Sequence, residues 1–150
     1  MFQPLSGIRI IDLTQVLAGP YATYQLALMG AEVLKIEQPD IGDWTRHGDA
    51  PEGLENQKMA TAFLTQNAGK KSITLNLKKD EDLSKLKGLI KTADVFVENF
   101  RPGTATKLGL SSEDIFEIKQ DIIYCSISAY GHDGPISSRP AYDHIVQGMC

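Results

Sequence analysis

Residues 7–37 leave the chain few ways to fold. Gly7 to Leu13 carries Ile8, Ile10 and Ile11 and reads as a buried strand. Gly19-Pro20 then opens a helix, with proline at the first helical position, where its missing N–H costs nothing. Ala22, Leu26 and Met29 fall on one helical face, and Gly30 is placed to end the helix as a left-handed cap. Glu32 to Glu37 is a second strand. A strand–helix–strand unit with connections this short predicts a parallel pair joined by a right-handed crossover.

The alternation continues along the chain. Pro39 to Leu54, rich in Gly, Pro and Asp, reads as a surface loop holding Trp44, Thr45, Arg46 and His47. Met59 to Thr65 fits a short helix, and Ser72 to Leu77 alternates polar and apolar residues as a strand does. Asp80 to Lys91 is amphipathic, with Leu83, Leu86, Leu89 and Ile90 on its apolar side. Acidic residues lead that helix and lysines close it, as the helix dipole prefers. Val95 to Val97 is the next strand, Thr104 to Leu108 a helical turn, and Ser111 a cap for a helix through Ile118. Ile122 to Ser128 is a further strand, with Cys125 between Ile123 and Ile127 reading as an inert core thiol. Asp143 starts a last helix running to Cys150 without a stop signal, which predicts a chain cut inside a helix. The expected fold class is α/β and Rossmann-like, a mostly parallel sheet flanked by helices.

Composition narrows the function. The formal charge of −4 argues against a nucleic-acid partner, which usually meets a basic stripe. No apolar run approaches a membrane span, and Met1-Phe2-Gln3-Pro4-Leu5 lacks the form of a signal peptide. Two cysteines make no disulfide framework, so a cytoplasmic location is the default. The three histidines are not spaced with Cys or carboxylates as metal ligands, so no metal is expected. His47 and His132 read as solvated loop residues, and no histidine has a reason in the sequence to sit beside Ser126 or Ser128.

The stretch from Ala93 to Gly103 is the most informative for chemistry. It begins as a buried strand and ends in Asn99, Phe100, Arg101 and a Pro-Gly turn. Pro102 stops the pairing, and ligands of open parallel sheets bind just beyond the C-terminal strand ends. An amide, an aromatic face and a fixed cation there suit a ligand with a flat base and phosphates. A strand-ending turn with a solvated arginine is the alternative for these residues alone.

Several segments together carry a resemblance. They are Asp12 to Pro20, Met29 to Glu37 with Gly42-Asp43 and Thr45-Arg46 beyond, Asn67 to Ser72, Val97 to Gly103, and Arg139 to Asp143. In this order and spacing, from about Pro4 to Cys150, the chain resembles the family III coenzyme A transferases. That family includes formyl-CoA transferases, carnitine-related CoA transferases and α-methylacyl-CoA racemases. The resemblance implies the N-terminal, CoA-binding portion of a large domain, within chains more than twice as long that interlock as a homodimer. A fragment of such an assembly would leave apolar surface uncovered and be poorly soluble.

By the same resemblance, Val16, Leu17 and Ala18 meet the adenosine part of coenzyme A. Gln38 stands where many relatives carry Arg, and Leu75 and Lys78 fall at coenzyme-contacting positions. Asn99, Phe100 and Arg101 match the core of the pocket, with Phe100 on a base and Arg101 on a phosphate. Lys107 replaces a frequent Arg, and Tyr142 and Asp143 lie near the acyl end. Acyl-CoA and a carboxylic acid are the implied substrates, and coenzyme A is present as the substrate thioester. The implied mechanism has an Asp attack the thioester, giving a mixed anhydride and then an aspartyl-CoA thioester. That Asp is expected beyond Cys150, so the 150-residue chain alone is expected to be inactive.

Three rivals remain. The racemases of the family carry a catalytic His beside an Asp, where this chain has Tyr142-Asp143. His144 is two positions off, about 200° round a helix. A nicotinamide-dependent oxidoreductase would use Glu37 as its ribose-binding acid. Its first loop, however, reads Thr-Gln-Val-Leu-Ala-Gly-Pro in place of G-x-G-x-x-G. A non-catalytic interaction module is the third.

Overall fold

The computed structural model describes residues 2–149. Five strands, β1 (Arg9–Asp12), β2 (Glu32–Glu37), β3 (Lys71–Thr74), β4 (Val95–Glu98) and β5 (Ile123–Ser126), form one sheet in the order β3-β2-β1-β4-β5. Every neighbouring pair is parallel. All five C-terminal ends therefore lie along one edge, and because the strand order reverses between β1 and β4 the crossovers diverge there. The expected α/β, Rossmann-like sheet is present.

Helices α1 (Ala18–Leu28), α2 (Thr61–Asn67), α3 (Asp80–Ile90), α4 (Thr104–Lys107), α5 (Ser112–Ile118) and α6 (Asp143–Gln147) account for the remaining regular structure, with two short 3₁₀ turns in the loop after β2. Side chains alternate across the sheet, and this divides the core. Ile11, Leu34, Ile36 and Phe96 pack with Leu86 and Ile90 of α3, Ile115 of α5, and Leu110 just before α5. Ile10, Val33 and Val97 form a smaller cluster on the opposite face with Leu26 and Ala27 of α1. The Ser111 cap is made as a full capping box with Asp114.

Two expectations are corrected. Met29 and Ala22 do not form the buried face of α1; Gly19, Pro20 and Thr23 do, because Thr23 turns inward to the Asp12 carboxylate at 2.6 Å. Cys125 is exposed, as is Ile123, because β5 ends the sheet among the described residues and nothing there covers the face that bears them. Helix α6 spans Asp143–Gln147, with the Gly148 N–H donating to the His144 carbonyl; the expected cut inside a helix at Cys150 falls outside the described residues.

Candidate coenzyme-binding edge

The loop after β1 is held by side chains from four other segments. Lys35 Nζ of β2 donates to the Thr14 carbonyl at 2.6 Å. Asn99, just after β4, accepts from Gln15 N–H at 2.9 Å and donates to the Gln15 carbonyl at 2.8 Å. Asp43, in the loop after β2, accepts from Val16 N–H at 3.3 Å. Gln66 of α2, with its amide oriented to satisfy both ends, donates to the Val16 carbonyl at 2.7 Å. Under this restraint Val16 takes φ 71°, a left-handed conformation that costs a β-branched residue more than most.

Two of the restraining side chains, Lys35 and Asp43, belong to a buried set of charged pairs. Lys35 and Asp43 pair at 2.8 Å with side chains 1% and 0% exposed. Lys70 Nζ lies 3.1 Å from Asp12 and also donates to Thr23, Asn67 and the Pro20 carbonyl. Burial pulls the Lys70 pKa down, and the Asp12 charge resists that fall. Each charge has a partner and further hydrogen bonds, the condition under which buried ions are tolerated. The close fit extends to Gly19, where an added Cβ would lie 2.3 Å from that of Thr14.

Glu37 ends β2 within the same region. Arg46 grips it in a two-point pair, with both contacts at 2.6 Å, and Ser72 Oγ and the Asp43 N–H also donate to it. Burial opposes its charge, but the Arg46, Ser72 and Asp43 hydrogen bonds outweigh it and hold the pKa down to about 2. Arg46 in turn lies 3.7 Å from the Phe63 ring centroid. Both Glu37 oxygens are therefore occupied, and the ribose-binding role of the oxidoreductase reading has no free acceptor.

Two clefts flank this loop along the edge. The larger, about 390 Å³, sits over β4 and β5 and is lined by Glu98, Phe100, Arg101, Tyr124, Ser126 and His132 among others. The Glu98 carboxylate is buried beneath it and accepts from the Phe100 N–H at 2.7 Å. Phe100 packs partly on the core and partly lines the cleft, while Arg101 is exposed. The smaller cleft, about 260 Å³, lies over β2 and β3 with Gln38, Arg46, Lys58 and Thr74 in its wall.

The residues named from sequence divide accordingly. Phe100 and Arg101 share the larger cleft, and Gln38 lines the smaller one. Leu17, at the end of the β1 loop, and Ala18, the first residue of α1, are exposed between them but line neither, and Asn99 joins that loop to the β4 end through Gln15. The Leu75 side chain is 7% exposed and packs in the main core, so its backbone is the part that faces the edge. Lys78, Lys107, Tyr142 and Asp143 are exposed and line neither cleft. The Asp143 carboxylate accepts from Gln147 on its own helix.

Sequence reasoning missed two features. His132 Nε2 lies 3.1 Å from Ser126 Oγ, contrary to the expectation that no histidine sits beside that serine. Among the described residues no carboxylate orients the ring from its other side, so the pair lacks the third group of an activated nucleophile. The other is the Lys35–Asp43 pair. A lysine set between apolar residues in Val33-Leu34-Lys35-Ile36 was the available signal for a buried ion pair.

Comparison with known proteins places the chain in a family. A family model described as CoA-transferase family III matches residues 5–150. The succinyl-CoA:glutarate CoA-transferase of Mus musculus is 48% identical over 98% of this chain and 33% of its own length. A succinate–glutarate CoA-transferase from Agrobacterium fabrum is 44% identical over 97% of this chain and 37% of its own. The crystal structure of a CaiB/BaiF family protein from Brucella suis superposes with a TM-score of 0.93 at 39% identity, covering 99% of this chain and 39% of that one. The chain thus spans about a third of the length of the curated relatives it matches. It belongs to CoA-transferase family III.

Proposed function

We propose that this chain is the coenzyme-binding portion of an acyl-CoA:carboxylate CoA-transferase, with a dicarboxylic acid as one substrate. The observation that carries the reading is the tether of Asn99 to Gln15, which ties the fixed loop after β1 to the Phe100–Arg101 cleft. A coenzyme laid along this edge would meet backbone N–H groups of the α1 first turn and the Arg101 guanidinium. The dicarboxylate assignment follows the names of the mouse and Agrobacterium relatives.

In the proposed reaction an aspartate carboxylate attacks the thioester carbonyl and expels the CoA thiolate, leaving an acyl-aspartyl anhydride. The thiolate then attacks the aspartyl carbonyl, releasing the acyl group as a carboxylate and leaving an aspartyl-CoA thioester for the acceptor acid. Asp12 and Asp43, the carboxylates that reach the loop, are buried with their charges paired, which supports a nucleophile from outside these 150 residues. His144 is exposed and off the racemase position, which supports transferase over racemase chemistry.

Calorimetric titration with coenzyme A and with NAD tests the binding role. The expected result is saturable binding of coenzyme A and weaker or no binding of NAD; tighter NAD binding would overturn it. The chain alone is expected to show no transfer from succinyl-CoA to glutarate, and turnover by it would refute the external nucleophile.

A further inference from the structure

Asn99 is half-buried, and each of its two polar atoms is engaged by the backbone of one residue, Gln15, at 2.9 and 2.8 Å. That residue precedes Val16, whose φ of 71° marks a conformation that valine avoids when free to relax. Strained residues persist only where their surroundings over-determine them, and they cluster at ligand clamps. Here the surroundings can be named. Gln15 is gripped on both its N–H and its carbonyl, Val16 is gripped by Asp43 and Gln66, and the Thr14 carbonyl is held by Lys35. Of these, the Asn99 contact alone comes from the β4 end, where Phe100 and Arg101 line the larger cleft.

We infer that Asn99 is a positioning residue for coenzyme binding: acting through Gln15, it holds Val16 left-handed and so sets Leu17 and Ala18 for the ligand, in place of touching the coenzyme with its own amide. This rests on the coenzyme reading above. It assigns Asn99 a different task from Phe100 and Arg101, its neighbours in sequence.

A double-mutant cycle between Asn99→Ala and Val16→Gly separates the two roles, because glycine takes the left-handed conformation without a side-chain penalty. If Asn99 acts by holding Val16, Asn99→Ala weakens coenzyme A binding about tenfold with valine at position 16 and less than about threefold in the Val16→Gly background. Equal losses in both backgrounds would mean a direct contact and would overturn the inference. A second readout needs no ligand. Val16→Gly is expected to raise the melting temperature of the otherwise unchanged chain, and to raise it less once Asn99→Ala has let Val16 relax. An equal rise with and without Asn99 would overturn the inference too. Absence of coenzyme binding by the unchanged chain would sink the coenzyme reading, while the melting cycle would still decide whether Asn99 holds the strain.

Discussion

The two flanks of the sheet edge handle charge in opposite ways. On the β1–β2 flank, Asp12, Lys35, Glu37, Asp43 and Lys70 are withdrawn from water, paired, and spent on fixing backbone. On the β4–β5 flank, Arg101 and His132 stand exposed around an open cleft, with the half-buried Ser126 beside His132. Buried pairs are costly to break and do little for a ligand they cannot reach. Exposed groups add little to stability and are free to bind. The first flank is thus a scaffold for a strained loop, and the second an open, solvent-facing surface.

The sharpest way to break this contrast is to remove a charge from the scaffold. Asp12→Ala leaves Lys70 buried without its partner and is expected to cost about 3–5 kcal/mol in denaturant unfolding. A loss under about 1 kcal/mol would show that the network is not a scaffold.

Acid titration follows in size. The Glu37 pKa is lowered to about 2 in the fold from its ordinary 4.5, so its contribution is complete above pH 4.5 and is lost as pH falls toward 2. That contribution is on the order of 3 kcal/mol. Glu37→Gln should flatten the stability–pH profile across this window, measured by urea unfolding at a series of pH values. An unchanged slope would remove Glu37 from the account.

Arg101→Ala should do the reverse of Asp12→Ala. Stability is expected to move by less than about 0.5 kcal/mol, while coenzyme A affinity drops about tenfold, read by calorimetry. A large stability loss would make Arg101 part of the scaffold. The smallest effect is expected at Cys125. Its exposed position predicts labelling by a thiol reagent in the folded chain, counted in a Cys150→Ser background, and a Cys125→Ser cost within about 0.5 kcal/mol. Protection until unfolding would return Cys125 to the core.

Much of the fold was legible because it rests on local signals. The isoleucines of β1, the left-handed Gly30 at φ 102° and the apolar stripe of α3 each point to one structure. The burial of Cys125 was misjudged because strand alternation does not reveal which strand is an edge or which face stays uncovered. The α1 face was misjudged because an apolar pattern cannot anticipate Thr23 turning inward to a buried carboxylate. At the site, Phe100 and Arg101 were legible as strand-end residues. The roles of Asn99, Asp43 and Gln66 were not, since each depends on a contact across 27 to 84 positions of sequence or between separate elements.

The central claim is that both flanks serve one coenzyme. Amide chemical-shift mapping during titration with coenzyme A tests it most directly. Shifts are expected together at Leu17 and Ala18 on one side and at Phe100 and Arg101 on the other, with a single midpoint. Saturation that moves only one of these groups, or neither, would contradict a coenzyme held across the edge.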